Sequence, residues 1–490
     1  MAHAGLLLSL LIGAGLYGLA TRAAVPPAAW IGLIALLHAS RSMPVVPGLA
    51  WLWLLLALSL SVARRDTMPM PFPLWLPIMA AEASVVVVPF LLDRLLAPAI
   101  GGAAGTLVFP IAMVAAEFLH SRLTPAATWG SIAYSQYGFP PIMQVAAFAG
   151  IWGITFLISW SASTFELAWR HGFDASIIRG AWLPCAIIVG AALVAGGLRL
   201  AIAPAARVSI RIATVNRPVD LLVPGEMTRV TEGRVAASER DVERARLEKL
   251  QDWFLGETRR AARAGARMVV WPEQNLLVFA EDEPAFLARA RKVAADDRVY
   301  LAIGMGTIHV GERLPFENKL VLIDPSGATV GSHLKNRPVA GWEESIMRRG
   351  RDGILVVPTA LGRIAGAICF EADFPEFIRP AGMQAADVLI VPANDWQSIK
   401  HLHLQMHVFR AIENGVSIVR AAASGISAAV DSRGRVLNVS DYFTSADRTM
   451  TANLPVERVP TVYAKIGDAF AWLCVAALAA TFVLRIVFHR

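Results

Sequence analysis

Residues 363–376 read RIAGAICFEADFPE, a run of small and apolar residues that ends on a thiol, Cys369, with an acid, Glu371, two places beyond it. The stretch 363–369 has the length and apolar character of a buried strand. A second strand at 354–357 pairs with it. Two other runs end in the same way: 267–271 (RMVVW) leads into Pro272-Glu273, and 328–335 (ATVGSHLK) ends on Lys335. Three apolar strands thus each close on a chemically distinct side chain, an acid, an amine and a thiol.

Around these runs the chain alternates. Strands are expected at 208–215, 299–304, 318–324, 387–393 and within 417–431, and helices at 236–264, 283–295 and 402–414. The 328–335 run pairs with 318–324 across a Pro-Ser-Gly turn. Continuous apolar strands alternating with helices predict sheets whose faces are covered by helices.

Sequence on both sides of this segment is too apolar for water. The 490 residues are 56% hydrophobic and only 17% charged, and the mean hydropathy is +0.52. A membrane-spanning helix needs about 20 apolar residues. Seven spans are read at about 5–20, 28–40, 47–63, 73–92, 100–119, 142–168 and 180–202, and an eighth at about 467–487. The fold class is an α-helical polytopic membrane domain of about eight spans with an α/β domain inserted. The boundaries are 1–203, seven helices; 204–465, the α/β domain; and 466–490, the last helix and tail. The first span has no Lys or Arg before Arg22 and no cleavage site, so it is expected to remain a helix rather than act as a signal.

Cationic loops stay cytoplasmic. This places the basic C-terminus, the loop with Arg170, His171 and Arg179, and the loop with Arg41 inside, and residues 203–466 outside. The Arg64-Arg65 pair goes against that scheme. A net charge of +7 suits anionic lipid. No basic stripe with interleaved aromatics appears, so a nucleic-acid partner has little support and none is expected.

Of three cysteines, Cys185 and Cys474 fall inside spans, which leaves Cys369 alone in the α/β domain and no disulfide within it. A thiol attacks poorly until it loses its proton, and a carboxylate within reach can take it. A buried ammonium can hold the thiolate and the oxyanion formed when a carbonyl is attacked. Glu273, Lys335 and Cys369 therefore suffice for covalent acyl transfer. The histidines His333, His401, His403 and His407 carry no metal-binding carboxylate pattern in sequence and are expected as surface or packing residues.

In this order and spacing, the trio resembles the Glu-Lys-Cys triad of the nitrilase superfamily, carried on an α-β-β-α sandwich. WPEQN around Glu273 and ICFEADFPE around Cys369 are the specific matches. With the flanking spans included, the chain is similar to the apolipoprotein N-acyltransferase family. WGSIAYSQ at 129–136, FAGIWG at 148–153, and Gln405-Met406 through Arg410-Ala-Ile-Glu413 to Arg420 and Asp431 extend the likeness nearly end to end.

The resemblance implies Cys369 as nucleophile, Glu273 as general base and Lys335 as stabiliser of the oxyanion. It implies Glu343 as the acid that orients Lys335, and Glu371 as the acid beside the nucleophile. By the same resemblance, a phospholipid donates an acyl chain to the thiol, and the N-terminal α-amine of a diacylglyceryl-cysteine on a lipoprotein accepts it. No metal or organic cofactor, a monomer, and a bacterial inner membrane with the catalytic domain on the periplasmic side complete the picture.

The chain departs from the family pattern between Lys335 and Glu344 (KNRPVAGWEE), at Phe370 in place of tyrosine, at Asn394-Asp395-Trp396-Gln397, and at Ser424. A related membrane acyltransferase with another amine acceptor, and a membrane-tethered amidase, are the alternatives. Residues 218–232, with Leu221, Leu222, Val223 and Met227, and residues 279–284 are the candidate lids.

Overall fold

The computed structural model describes residues 2–68, 70–202, 208–217 and 224–488. The chain divides into two compact units, Met1–Ala203 with Ile466–Arg490, and Pro204–Lys465.

In the first unit the long apolar runs become helices, because only a helix satisfies all of its own backbone polar groups without water. Among the described residues, six helices are long and apolar enough to cross a membrane: Ala4–Ala23, Val45–Ala63, Leu76–Ile100, Gly102–Leu123, Ala146–Arg170 and Ala175–Ala201. The span expected at 28–40 is a 17-residue helix, Pro26–Ser42. The last apolar helix is Ala469–Phe488.

Several charges inside this unit are paired, as an apolar setting favours. Arg41 lies 2.7 Å from Asp93 and 2.5 Å from Glu166, which stitches three helices together. Asp468, at the start of the last helix, accepts the Trp152 indole N–H at 2.8 Å and pairs with Arg122.

Among the described residues, the second unit holds two six-stranded sheets. The first contains β1 (Ser209–Val215), β2 (Met268–Phe279), β3 (Tyr300–Ile308), β4 (Phe316–Ile323) and β5 (Thr329–Leu334), with β12 (Thr449–Pro455) at its other edge. Its order is β12-β1-β2-β3-β4-β5. The second sheet contains β6 (Leu355–Thr359), β7 (Gly362–Gly366), β8 (Val388–Asn394), β9 (Ser417–Ala423), β10 (Ile426–Val430) and β11 (Val436–Asp441), in the order β11-β10-β9-β8-β7-β6. Each sheet has three parallel strands at its centre, β1-β2-β3 and β7-β8-β9, with antiparallel strands outside.

Period-two alternation along β2 assigns its two faces. Val269 and Trp271 join Leu250, Phe254, Phe286 and Val293 under the helices Arg240–Arg263 and Glu283–Asp296. Met268 and Val270 join Ile364, Val388, Ile390 and Val419 between the sheets. The helices Pro375–Met383 and Lys400–Asn414 accompany the second sheet, which completes an α-β-β-α sandwich.

Three expectations change. The strand read as ending before Pro272-Glu273 continues to Phe279, because the sheet absorbs Pro272–Asn275 as a bulge and resumes at Leu276. β11 and β12 were not expected, since β11 is largely exposed and lacks an apolar run. Of the candidate lid at 218–232, residues 218–223, which include Leu221, Leu222 and Val223, and the Met227 side chain lie outside the described residues. Pro224–Thr231 is a short helix. The other candidate, 279–284, is the turn from β2 into the Glu283–Asp296 helix.

Candidate active site

Glu273 leaves the ladder of β2 through the bulge. Trp271 is opposite Ile303 and Leu276 opposite Met305, so the four residues between them face the single Gly304. A Cβ on Gly304 would come within 2.5 Å of the Pro272 carbonyl oxygen, so only glycine fits beneath this turn. Gln274 takes φ 53° within the bulge.

Cys369 follows β7 and opens a tight helical turn, Cys369–Asp373, with φ 51°. A non-glycine residue in the left-handed region is strained, and such strain concentrates at functional sites. Here it turns the thiol out of the strand direction. Lys335 follows β5, and its backbone N–H donates to Asn318 on β4 at 2.9 Å.

The side chains meet out of water. Glu273 and Lys335 are 2% and 1% exposed, and Glu343 and Cys369 are each 5% exposed. Lys335 Nζ donates to Glu273 Oε1 at 2.8 Å and to both oxygens of Glu343 at 2.9 and 2.8 Å. Glu343 also accepts from Gln274 Nε2 at 3.1 Å and from the Val339 backbone N–H at 2.7 Å. Asn318 Nδ2 donates to Glu273 at 2.7 Å and to Glu343 at 3.1 Å. Cys369 faces Glu273 and Lys335 closely enough that both charges act on its thiol.

These contacts set the protonation states. Burial raises Glu273's affinity for a proton; the Lys335 charge opposes this and the Glu343 charge adds to it, and the net shift is upward. Burial disfavours the Lys335 ammonium, but two carboxylates outweigh it and hold the group well above its ordinary value. Burial, followed by the Glu273 charge, pushes the Cys369 thiol well up despite Lys335. The site therefore sets a thiol beside a carboxyl group that can take its proton, with an ammonium held between two acids.

Glu371 is fully buried two residues after the thiol. It accepts from Ile368 N at 2.7 Å and Asn336 N at 2.5 Å, and lies 2.8 Å from His333 Nε2. All five residues expected at the site, Glu273, Lys335, Glu343, Cys369 and Glu371, are thus gathered around it. Asn318 and Gln274 are members that the sequence reading missed. Gln274 adjoins the PEQ motif, but nothing local marks Asn318, which arrives from a strand 45 residues away from Glu273.

Three of the four histidines also differ from expectation. His401 is exposed, but His333, His403 and His407 are buried in ionic networks. His403 lies 3.2 Å from Asp373 and 2.7 Å from Asp395, and His407 Nε2 lies 3.5 Å from the same Asp373 oxygen. Asp373, His403 and His407 have the spacing of a metal donor set, and each also faces charged neighbours within the protein. Arg420 Nε donates to His407 Nδ1 at 3.0 Å, which leaves the proton of neutral His407 on Nε2, facing Asp373. Burial lowers His403's proton affinity, yet Asp373 and Asp395 outweigh it and raise its pKa to about 9. Burial and the His403 charge push His407 down to about 3.

Comparison with known proteins gives matches along most of the chain. The family model for the carbon-nitrogen hydrolases matches residues 234–463, and that for the apolipoprotein N-acyltransferase N-terminal domain matches residues 13–164. An apolipoprotein N-acyltransferase from Geobacter metallireducens is 28% identical over 410 residues, covering 78% of this chain and 74% of the relative. One from Rhodopseudomonas palustris is 24% identical over 407 residues, covering 76% and 72%. An amidase from Nesterenkonia sp. superposes with a TM-score of 0.41 at 19% identity, covering 53% of this chain and 94% of the amidase.

Proposed function

We propose, for a chain that belongs to the apolipoprotein N-acyltransferase family, that it acylates the N-terminal amine of lipoproteins in a bacterial membrane through a Cys369 thioester. The observation that carries this reading is the buried set itself: one ammonium held by two carboxylates, with a thiol at positive φ beside them.

In this reading a phospholipid enters with its ester carbonyl against Cys369. Glu273 takes the thiol proton as sulfur attacks, and the Lys335 ammonium stabilises the oxyanion. Collapse breaks the ester C–O bond, and the lysophospholipid leaves with the proton returned by Glu273. The thioester is then attacked by the α-amine of a diacylglyceryl-cysteine. Glu273 takes the amine proton, the C–S bond breaks, and the thiolate recovers the proton. Atoms and charges balance over the two half-reactions, and no cofactor enters. Glu343 orients Lys335, and Glu371 holds the nucleophile's turn.

Residues 204–465 form the catalytic domain, and we place it on the periplasmic side of the inner membrane, with the protein acting as a monomer. The apolar helices keep the enzyme in the bilayer that supplies both lipid-tailed substrates.

The test is intact-mass measurement of purified protein incubated with phospholipid vesicles, then with diacylated lipopeptide or with water alone. An acyl-sized mass gain lost in Cys369→Ala, and discharged by the lipopeptide, is the expected result. Discharge by water at the same rate, with no acylated peptide, overturns the transferase reading.

A further inference from the structure

We infer that His403 is a positioning residue for Cys369, joining the two backbone segments that flank the thiol. This deepens the proposed reaction and rests on Cys369 as its nucleophile.

The first segment is the turn Cys369–Asp373, whose last residue presents a fully buried carboxylate. The second is the end of β8, where the Asn394 carbonyl oxygen lies 3.9 Å from Cys369 Sγ and Asp395 follows. His403 spans them from the Lys400–Asn414 helix, with Nε2 3.2 Å from Asp373 and Nδ1 2.7 Å from Asp395. The ring thus fixes the far end of the strained turn relative to the residue after Asn394.

A ligand atom each of Cys369, Asp395 and His403 lie within 4.8 Å of one another. A carboxylate that near disfavours a thiolate, and the Asp395 charge does raise the thiol's proton affinity. His403 and Arg420, which donates to both Asp395 oxygens at 2.8 Å, offset that charge. The carboxylates of Asp373 and Asp395 thus meet His403 and Arg420, whose Nη2 also lies 3.1 Å from His403 Nδ1, with His407 beside them.

Deprotonating His403 leaves two buried carboxylates facing one arginine. The loss comes as pH rises through the imidazolium's pKa, which the two carboxylates hold at about 9. The groups facing His403 are Cys369 and Asp373 from the turn, Asp395 from the loop, Arg420 from β9 and His407 from its own helix. Other charges on neighbouring elements are engaged elsewhere. Glu376 pairs with Arg337, Arg379 donates to the carbonyls of Ala464 and Lys465, and Lys400 pairs with Asp441.

The test reads the thiol directly, without an acyl donor, so that it can fail independently of the acyltransfer reading. Alkylation of Cys369 by iodoacetamide is followed by peptide mass spectrometry from pH 7 to 10 in the full-length detergent-solubilised protein, His403→Gln and Asp373→Asn, alongside thermal unfolding. At pH 7 the His403→Gln variant is expected to alkylate about tenfold more slowly or less, because a displaced reacting group loses its alignment. The wild-type rate, corrected for thiolate, falls above about pH 9. That fall is absent in His403→Gln and moves to lower pH in Asp373→Asn, which keeps only one of the two carboxylates.

Unchanged alkylation in His403→Gln, or a change only in proportion to its folded fraction, overturns the inference. If His403→Gln does not fold, the Asp373→Asn profile decides, and an unmoved alkaline fall overturns it equally.

Discussion

Glu371 Oε1 accepts the backbone N–H of Asn336 at 2.5 Å. The turn that carries Cys369 and the strand that delivers Lys335 are therefore tied at one carboxylate. Its other oxygen accepts from Ile368 N, just before the thiol, at 2.7 Å. Relative placement of amine and thiol depends on this acid, although it touches neither reacting atom in the proposed mechanism.

Replacing Glu371 with Gln sets an amide NH2 where a backbone N–H needs an acceptor. A buried hydrogen bond to a charged group contributes about 1.5–3 kcal/mol, and the variant should lose stability of that order in denaturant unfolding. Thioester formation should slow by about tenfold or more, because the amine and thiol lose their common anchor. Wild-type acylation rates in Glu371→Gln would show that the tie is dispensable.

Lys335→Met leaves Glu273 and Glu343 facing each other without a cation. Breaking a buried ion pair from one side costs about 3–5 kcal/mol, and losing an oxyanion donor costs about a hundredfold or more in rate. The double variant Lys335→Met/Glu343→Gln should regain much of the stability while staying inactive. Recovery of thioester formation in the double variant would separate Lys335 from the chemistry.

The pH dependence of Cys369 acylation has a predictable sign. Glu273 accepts the thiol proton only when ionised, and burial with the Glu343 charge raises its pKa. Activity should therefore be lost as pH falls through a value above the ordinary glutamate range. Glu343→Gln removes the repelling charge and should move that acidic limb to lower pH, whatever it does to the maximal rate. An upward shift in the rate profile would contradict this account of the site's electrostatics.

Gly304→Ala tests the bulge. The added methyl meets Pro272 O at 2.5 Å and Glu273 N at 2.9 Å, which are backbone atoms unable to step aside without moving Glu273. Overpacking of this kind costs about 1–3 kcal/mol. Acylation should fall by more than the loss of folded protein accounts for, measured by intact mass against a thermal melt.

Much of the fold is readable in the chain because the relevant signals are local. The apolar runs from β1 to β10 announce themselves by length and neighbours, as do the spans flanking the domain. β11 escaped because four of its six residues are exposed and its partner strand, not its composition, makes it a strand. β2 was cut short at Pro272-Glu273, since a proline and an acid look like an ending when the strand and glycine opposite are not in view.

The sequence by itself determined which functional groups exist, an acid, an amine and one thiol in the α/β domain, and that the flanking residues belong in a bilayer. Hydropathy and side-chain chemistry are properties of the residues alone. Only the tertiary structure decided that Asn318 links the two carboxylates, that His403 lies between Asp373 and Asp395, and that Glu273 leaves its strand over Gly304. Charge state and strain depend on distances through space and on the exclusion of water, and residues far apart in the chain set both.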